Sequence, residues 1–101
     1  MSEVEKKDDT ITMKPGIDIV ASSVEEFQEE ALELLKESPK EFVLDFTGVN
    51  MIDSMGIGIV IAIHNSLNKS GGKLKIIKIA PQIFNVFTAM RLGRHFVVEA
   101  E

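Results

Sequence analysis

Asp53 and Ser54 stand side by side in the stretch Met51-Ile-Asp-Ser-Met-Gly-Ile-Gly58. A strand-like run, Glu41-Phe-Val-Leu-Asp-Phe46, comes before it, and an apolar segment ending at His64-Asn65 follows. A hydroxyl placed where a strand gives way to a helix lies at the edge of a sheet, where an α/β domain presents its functional groups. From the residues alone Ser54 reads as a helix N-cap, because Ser and Asp both satisfy the free N–H groups of a first turn. No His lies near enough in sequence to suggest a triad, and a lone Asp-Ser pair is not an acyl-transfer site. His64 and His95 are the only histidines. Neither has a metal-ligand partner at useful spacing, so both are expected as surface or packing residues. The chain has no Cys, which removes disulfides, cysteine-zinc sites and thiol chemistry. No phosphate loop of the Gly-x-x-x-x-Gly-Lys-Ser/Thr type is present. No catalytic residue, metal ligand or cofactor is therefore expected.

The elements that must position Asp53 and Ser54 follow from periodicity and punctuation. Residues 1–9 are charged and aperiodic and are expected to be a flexible N-terminal tail. Thr10 to Met13 is a candidate strand, Lys14-Pro15-Gly16 a turn, and Ile17 to Val20 a candidate second strand, together forming a hairpin or an edge. Ser23 and Glu26 make a capping box for a helix whose apolar residues fall at Val24, Phe27, Ala31 and Leu34. Its acidic run, Glu25 to Glu33, is the solvated side, and Pro39 closes it. Phe42 to Phe46 is a nearly continuous apolar strand, expected to be central. Thr47 to Asn50 then turns the chain.

The run Gly56 to Ile63 is β-branched like a strand, and each Gly costs a helix roughly 0.5–1 kcal/mol relative to Ala. It is assigned to a helix all the same. Asp53 and Ser54 are strong caps, Ile59, Ile63 and Leu67 repeat at helical spacing, and Gly71-Gly72 supplies a stop. Leu74 to Ile79 alternates as a strand. Pro81 opens a last helix with Ile83, Phe84, Phe87 and Met90 as its buried stripe, and Gly93 ends it. Phe96 to Val98 is a short final strand. Strands joined through helices imply parallel pairing with right-handed crossovers. The methionines Met13, Met51, Met55 and Met90 are expected as core filler.

At 101 residues with 45% apolar content the chain makes one small domain with one modest core. A net charge of −5 and a pI near 5.0, with basic residues spaced rather than clustered, argue against nucleic-acid and anionic-membrane binding. Met1 to Thr10 lacks the apolar core of a signal peptide, and Met55 to Ile63 is too short to span a bilayer. A cytoplasmic protein is expected.

Residues 40–98 resemble a STAS domain of the bacterial anti-sigma-factor antagonist type, and residues 10–39 resemble it more loosely. The pattern is an apolar-Asp-apolar strand, then Asp-Ser-x-Gly-apolar-Gly opening a helix. A Gly-Gly-Lys-Leu turn and strand follow, then a helix begun by Pro. Four elements recurring in order make the likeness specific, where Asp-Ser-x-Gly alone is weak.

The resemblance implies an α/β fold: a single STAS-like domain over residues 10–101, with a mixed, mostly parallel sheet of four to five strands and helices packed mainly on one side. It implies a binding module, not an enzyme, that binds a serine-kinase-type anti-sigma factor and so releases sigma, regulating transcription by partner switching. Ser54 occupies the position phosphorylated by that kinase, which would abolish binding. ATP and Mg belong to the partner, and a serine phosphatase would reverse the mark. The expected partner-binding residues are Asn50, Asp53, Ser54, Met55, Gly56, Ile57, Gly58 and Ile61.

Several of these positions carry a second reading. Asp53 caps the helix, orients the hydroxyl or meets a basic group. Ile57 and Ile61 are an exposed docking strip or the second side of a deep helix. Gly56 and Gly58 admit a partner's backbone or permit tight internal packing.

Three features depart from the family pattern. Met55 replaces a small residue, Arg91-Leu92-Gly93-Arg94 stands where the family has Gly-Leu, and no helix follows the last strand before Glu101. Nothing in the sequence separates a monomer from a weak dimer. The rival reading is a STAS subunit of a phospholipid-transport ABC complex, docking by the same helix face without phosphorylation.

Overall fold

In the computed structural model, which describes residues 2–100, five strands form one sheet in sequential order. They are β1 (Glu3–Lys7), β2 (Thr10–Lys14), β3 (Glu41–Asp45), β4 (Lys73–Ile79) and β5 (Val97–Ala100). β1 pairs antiparallel with β2, and the other pairings are parallel. Three helices supply the crossovers: α1 (Val24–Leu35), α2 (Ser54–Lys69) and α3 (Pro81–Ala89). Because β2 to β5 are laid down in one direction, right-handed crossovers put all three helices on the same face.

Strand alternation separates the two faces. Across the strands, Ile11, Phe42 and Leu74 form one buried row, and Met13, Leu44 and Ile76 form the next, continued by the partly buried Val98. The helices cover these rows with Val24, Phe27 and Ala31 of α1, Ile57, Val60, Ile63 and Leu67 of α2, and Ile83 and Phe87 of α3. Phe87 packs edge-on against both Phe46 and Phe96. Thr12, Lys75 and Val97 lie on the opposite face, where Lys75 pairs with Glu99 at 3.0 Å.

The N-terminus differs from the sequence expectation. Residues 3–7, read as part of a tail, are a strand joined to β2 by a tight turn with Asp8 in the left-handed region. Every residue of β1 is exposed. It is held by backbone pairing and by exposed ion pairs, Lys6 with Glu37 and Glu3 with Lys14, so its side chains carry no apolar alternation that a sequence pattern could register. A charged edge strand of this kind also resists pairing with another chain. The expected hairpin between residues 10–13 and 17–20 does not form. Ile17 to Val20 contributes only a parallel bridge, Ile19 to Ile52.

The Ser23 half of the expected capping box is absent. Ser23 precedes α1 but makes no side-chain cap. Its hydroxyl donates instead to the Asp18 carbonyl at 2.6 Å. The helical assignment of Gly56 to Ile63 holds, and α2 stops at Gly71 with φ +82°. α3 ends at Ala89, before the Gly93 expected to stop it. Arg91, with φ +58°, supplies the left-handed turn, and a 3-10 turn spans Leu92–Arg94.

Candidate functional site

Asp53, not Ser54, caps α2. Its Oδ1 accepts from the Gly56 N–H at 3.0 Å, while its Oδ2 accepts from the Ala21 N–H at 2.8 Å. One carboxylate therefore closes the helix and ties it to the segment before α1. Hydrogen bonds, first from Gly56 and then from Ala21, hold the Asp53 carboxyl below its usual pKa of 3.8. Asp18 makes a matching clamp from the other side. Its Oδ1 accepts from the N–H groups of Asn50 and Met51, at 2.8 and 3.0 Å. Backbone bonds between Ile19 and both Met51 and Asp53 complete the strap. From α3, Gln82 Nε2 donates to the Asn50 carbonyl at 3.1 Å.

Ser54 is the first residue of α2 and is exposed. Its hydroxyl makes no hydrogen bond among the described residues. The capping role that composition allowed it is taken by its neighbour. What remains is a free nucleophilic oxygen on a rigid helix start, with first-turn N–H groups and the positive end of the helix dipole beside it.

The five expected contact residues from Met55 to Ile61 resolve separately. Met55 is 54% exposed and Met51 is 59% exposed, so neither is core filler. Met90 is exposed too, and only Met13 of the four is buried. Ile57 is 7% exposed and belongs to the core, and Ile61 is partly buried against it. The docking strip expected at these two residues is therefore not formed. Gly56 explains the rotation. A Cβ there would lie 2.3 Å from the Ile19 carbonyl oxygen and 2.7 Å from an Ile52 carbon. The first turn of α2 is pressed onto the strap, and Ile57 turns inward. Gly58, by contrast, faces open space.

Asn50, Met51, Met55 and Gly58, all exposed and within four positions of Ser54 in the chain, are the candidates for a surface around it. Sequence reasoning missed Asp18 and the exposure of Met51. A single acid inside Ile-Asp-Ile-Val is the signal that could have pointed to Asp18.

Asp45, at the end of β3, is pushed up by burial. Hydrogen bonds from Thr47 and the charges of Lys78 and Lys14 outweigh this and leave it lowered. Its role is to fix the turn that leads to Asn50, with Thr47 donating from both N and Oγ1. His64 and His95 approach each other, ring centres 6.0 Å apart, and His64 packs on Phe96 at 5.3 Å. Among the described residues no three His, Cys, Asp or Glu side chains gather as a metal site.

A family model described as the STAS domain matches residues 1–101. The chain belongs to the STAS domain family. Solved structures agree with this STAS assignment. An anti-sigma factor antagonist from Mycobacterium paratuberculosis is 19% identical with a TM-score of 0.88, covering 100% of this chain and 86% of that one. The Bacillus cell fate determinant SpoIIAA, in its phosphorylated form, is 17% identical with a TM-score of 0.75, covering 100% and 93%. A sulfate transporter family protein from Wolinella succinogenes is 16% identical with a TM-score of 0.79, covering 94% and 80%. At these identities the likeness establishes the fold. Among the described residues, no helix is long and apolar enough to cross a membrane.

Proposed function

We propose that this STAS domain is a cytoplasmic anti-sigma factor antagonist. It binds a serine-kinase-type anti-sigma factor through the surface around Ser54 and is switched off by phosphorylation of Ser54. The observation that carries this reading is the division of labour at the start of α2: Asp53 does the capping and leaves the Ser54 hydroxyl exposed and unbonded. The solved anti-sigma factor antagonists of the same fold, one of them in a phosphorylated form, support it.

Phosphate adds about −1.5 to −2 charges at pH 7. The first turn of α2 tolerates that charge, so the domain itself stays folded. The cost falls on the complex. With Asp53 adjacent, roughly three negative charges would have to be desolvated or opposed across an interface. A penalty of about 3 kcal/mol weakens binding roughly 100-fold. Met51 and Met55 supply adaptable apolar contact, and Gly58 lets the partner's backbone approach. Catalysis, ATP and Mg belong to the partner kinase, and a serine phosphatase restores the binding form.

The test is calorimetric titration of the purified domain, as Ser54, phospho-Ser54 and Ser54→Asp, into a kinase-type anti-sigma factor encoded beside it. Binding by the Ser54 form, with a loss of tenfold or more on phosphorylation, is expected. Equal affinity of all three forms overturns the switch. The likeness to the sulfate transporter family protein supports a second, transport-linked reading, in which the same surface docks a transporter subunit without phosphorylation. Equal affinities for a transport ATPase, with none for the anti-sigma factor, would select it.

A further inference from the structure

Charge is divided unevenly along this acidic chain. Residues 54–98 hold Lys69, Lys73, Lys75, Lys78, Arg91 and Arg94 and no Asp or Glu, so all 16 acidic residues lie outside that span. Both arginines of the protein fall in the turn between α3 and β5. They line one groove of about 250 Å³. Phe84, Phe87 and Val98 give it an apolar lining, Thr88 lies beside them, and among the described residues no acidic side chain borders it. The nearest acid on β5, Glu99, is held by Lys75 across the other face of the sheet.

Arg91 is hard to explain by folding. It occupies the position just past the end of α3 with φ +58°, where Gly is the residue without a steric penalty. Asp8, Ser38 and Lys78 take the same left-handed backbone, so what sets Arg91 apart is its place at the groove beside Arg94. Neither the Arg91 nor the Arg94 guanidinium makes a hydrogen bond or ion pair among the described residues. Two guanidinium forks without partners, each able to bind an oxyanion bidentately, stand over an apolar floor.

From this we infer that the α3–β5 groove is a binding site for a small amphiphilic oxyanion: a phosphate monoester or carboxylate carried on a short apolar body. The guanidinium groups of Arg91 and Arg94 hold the anion, and Phe84, Phe87 and Val98 receive the apolar part. The groove is slightly smaller than the usual ligand site of about 300–1,000 Å³, which fits a short chain or a single ring and not a large cofactor. The site shares no residue with the surface around Ser54, so it stands or falls independently of the phosphorylation switch.

The experiment is an amide chemical-shift titration of the whole chain with hexyl phosphate, with inorganic phosphate and hexanol as controls for each half of the ligand. Saturable shifts centred on Thr88, Gly93 and Val98 are expected, with hexyl phosphate at least tenfold tighter than either control. Arg91→Gly is the decisive variant, because Gly suits φ +58° and the fold is kept or stabilised. That variant should lose at least tenfold in affinity with its thermal midpoint held or raised, and Arg94→Ala should lose as much. Sedimentation with phosphatidylglycerol vesicles separates a free ligand from a lipid surface. Absent saturation, equal binding of hexanol or phosphate, undiminished binding by the arginine variants, or binding to vesicles alone would each overturn the assignment.

Discussion

At the scale of single residues, two neighbours with similar capping chemistry have opposite fates. Asp53 is spent inside the chain, on Gly56 and Ala21, and Ser54 is left to the solvent. Ser54→Ala should therefore change stability by no more than about 0.5 kcal/mol, as measured by urea unfolding. Asp53→Ala should lower the thermal midpoint, because it removes the cap and the strap together, while Asp53→Asn should retain most of the cap. The pH dependence has a definite sign. The folded-state pKa of Asp53 lies below its ordinary 3.8. Its contribution is therefore complete above 3.8 and is lost as pH falls through the folded value. The difference in thermal midpoint between the parent and Asp53→Asn should shrink over that acid window. A difference that grew instead would show that the carboxylate is not stabilised there.

At the scale of elements, the start of α2 is fixed by what a glycine omits. Gly56→Ala places a Cβ 2.3 Å from the Ile19 carbonyl oxygen, so it should destabilise by about 1–3 kcal/mol in chemical denaturation. Gly58→Ala meets open space and should stabilise the helix by roughly 0.5–1 kcal/mol. The opposite signs at positions two residues apart test the placement of α2 against the strap. Much of this level was legible in the sequence. The helix at residues 54–69, its stop at Gly71 and the proline start of α3 follow from caps and breakers, which act locally. The phase of α2 was not. Isoleucine and valine occupy nearly every turn, so the pattern cannot say which face is buried, and contact with Ile19 decides it from a distance in sequence. β1 was illegible for a related reason: it is joined by backbone pairing and exposed ion pairs, and none of its side chains is buried. The exposure of Met51 and Met55 is likewise a property of where the strap passes.

For the whole molecule, the sheet is a rigid mount with one helix-covered face and one open face, and the core rests on the central strand. Phe42 is fully buried on β3. Phe42→Ala should cost about 3–5 kcal/mol, a large share of the roughly 5–15 kcal/mol that holds a domain together. Equilibrium unfolding should show a midpoint lowered accordingly. The α/β class and the mostly parallel pairing were readable from the alternation of strand and helix signals. The family likeness located Ser54, which composition alone would have left as a cap. The central claim is that Ser54 is a phosphoryl acceptor. Its most direct test is the intact mass of the domain after incubation with its partner kinase and ATP, beside Ser54→Ala. A gain of one phosphate in the parent and none in Ser54→Ala is predicted. No gain from a kinase shown to be active, or an equal gain in both proteins, would contradict it.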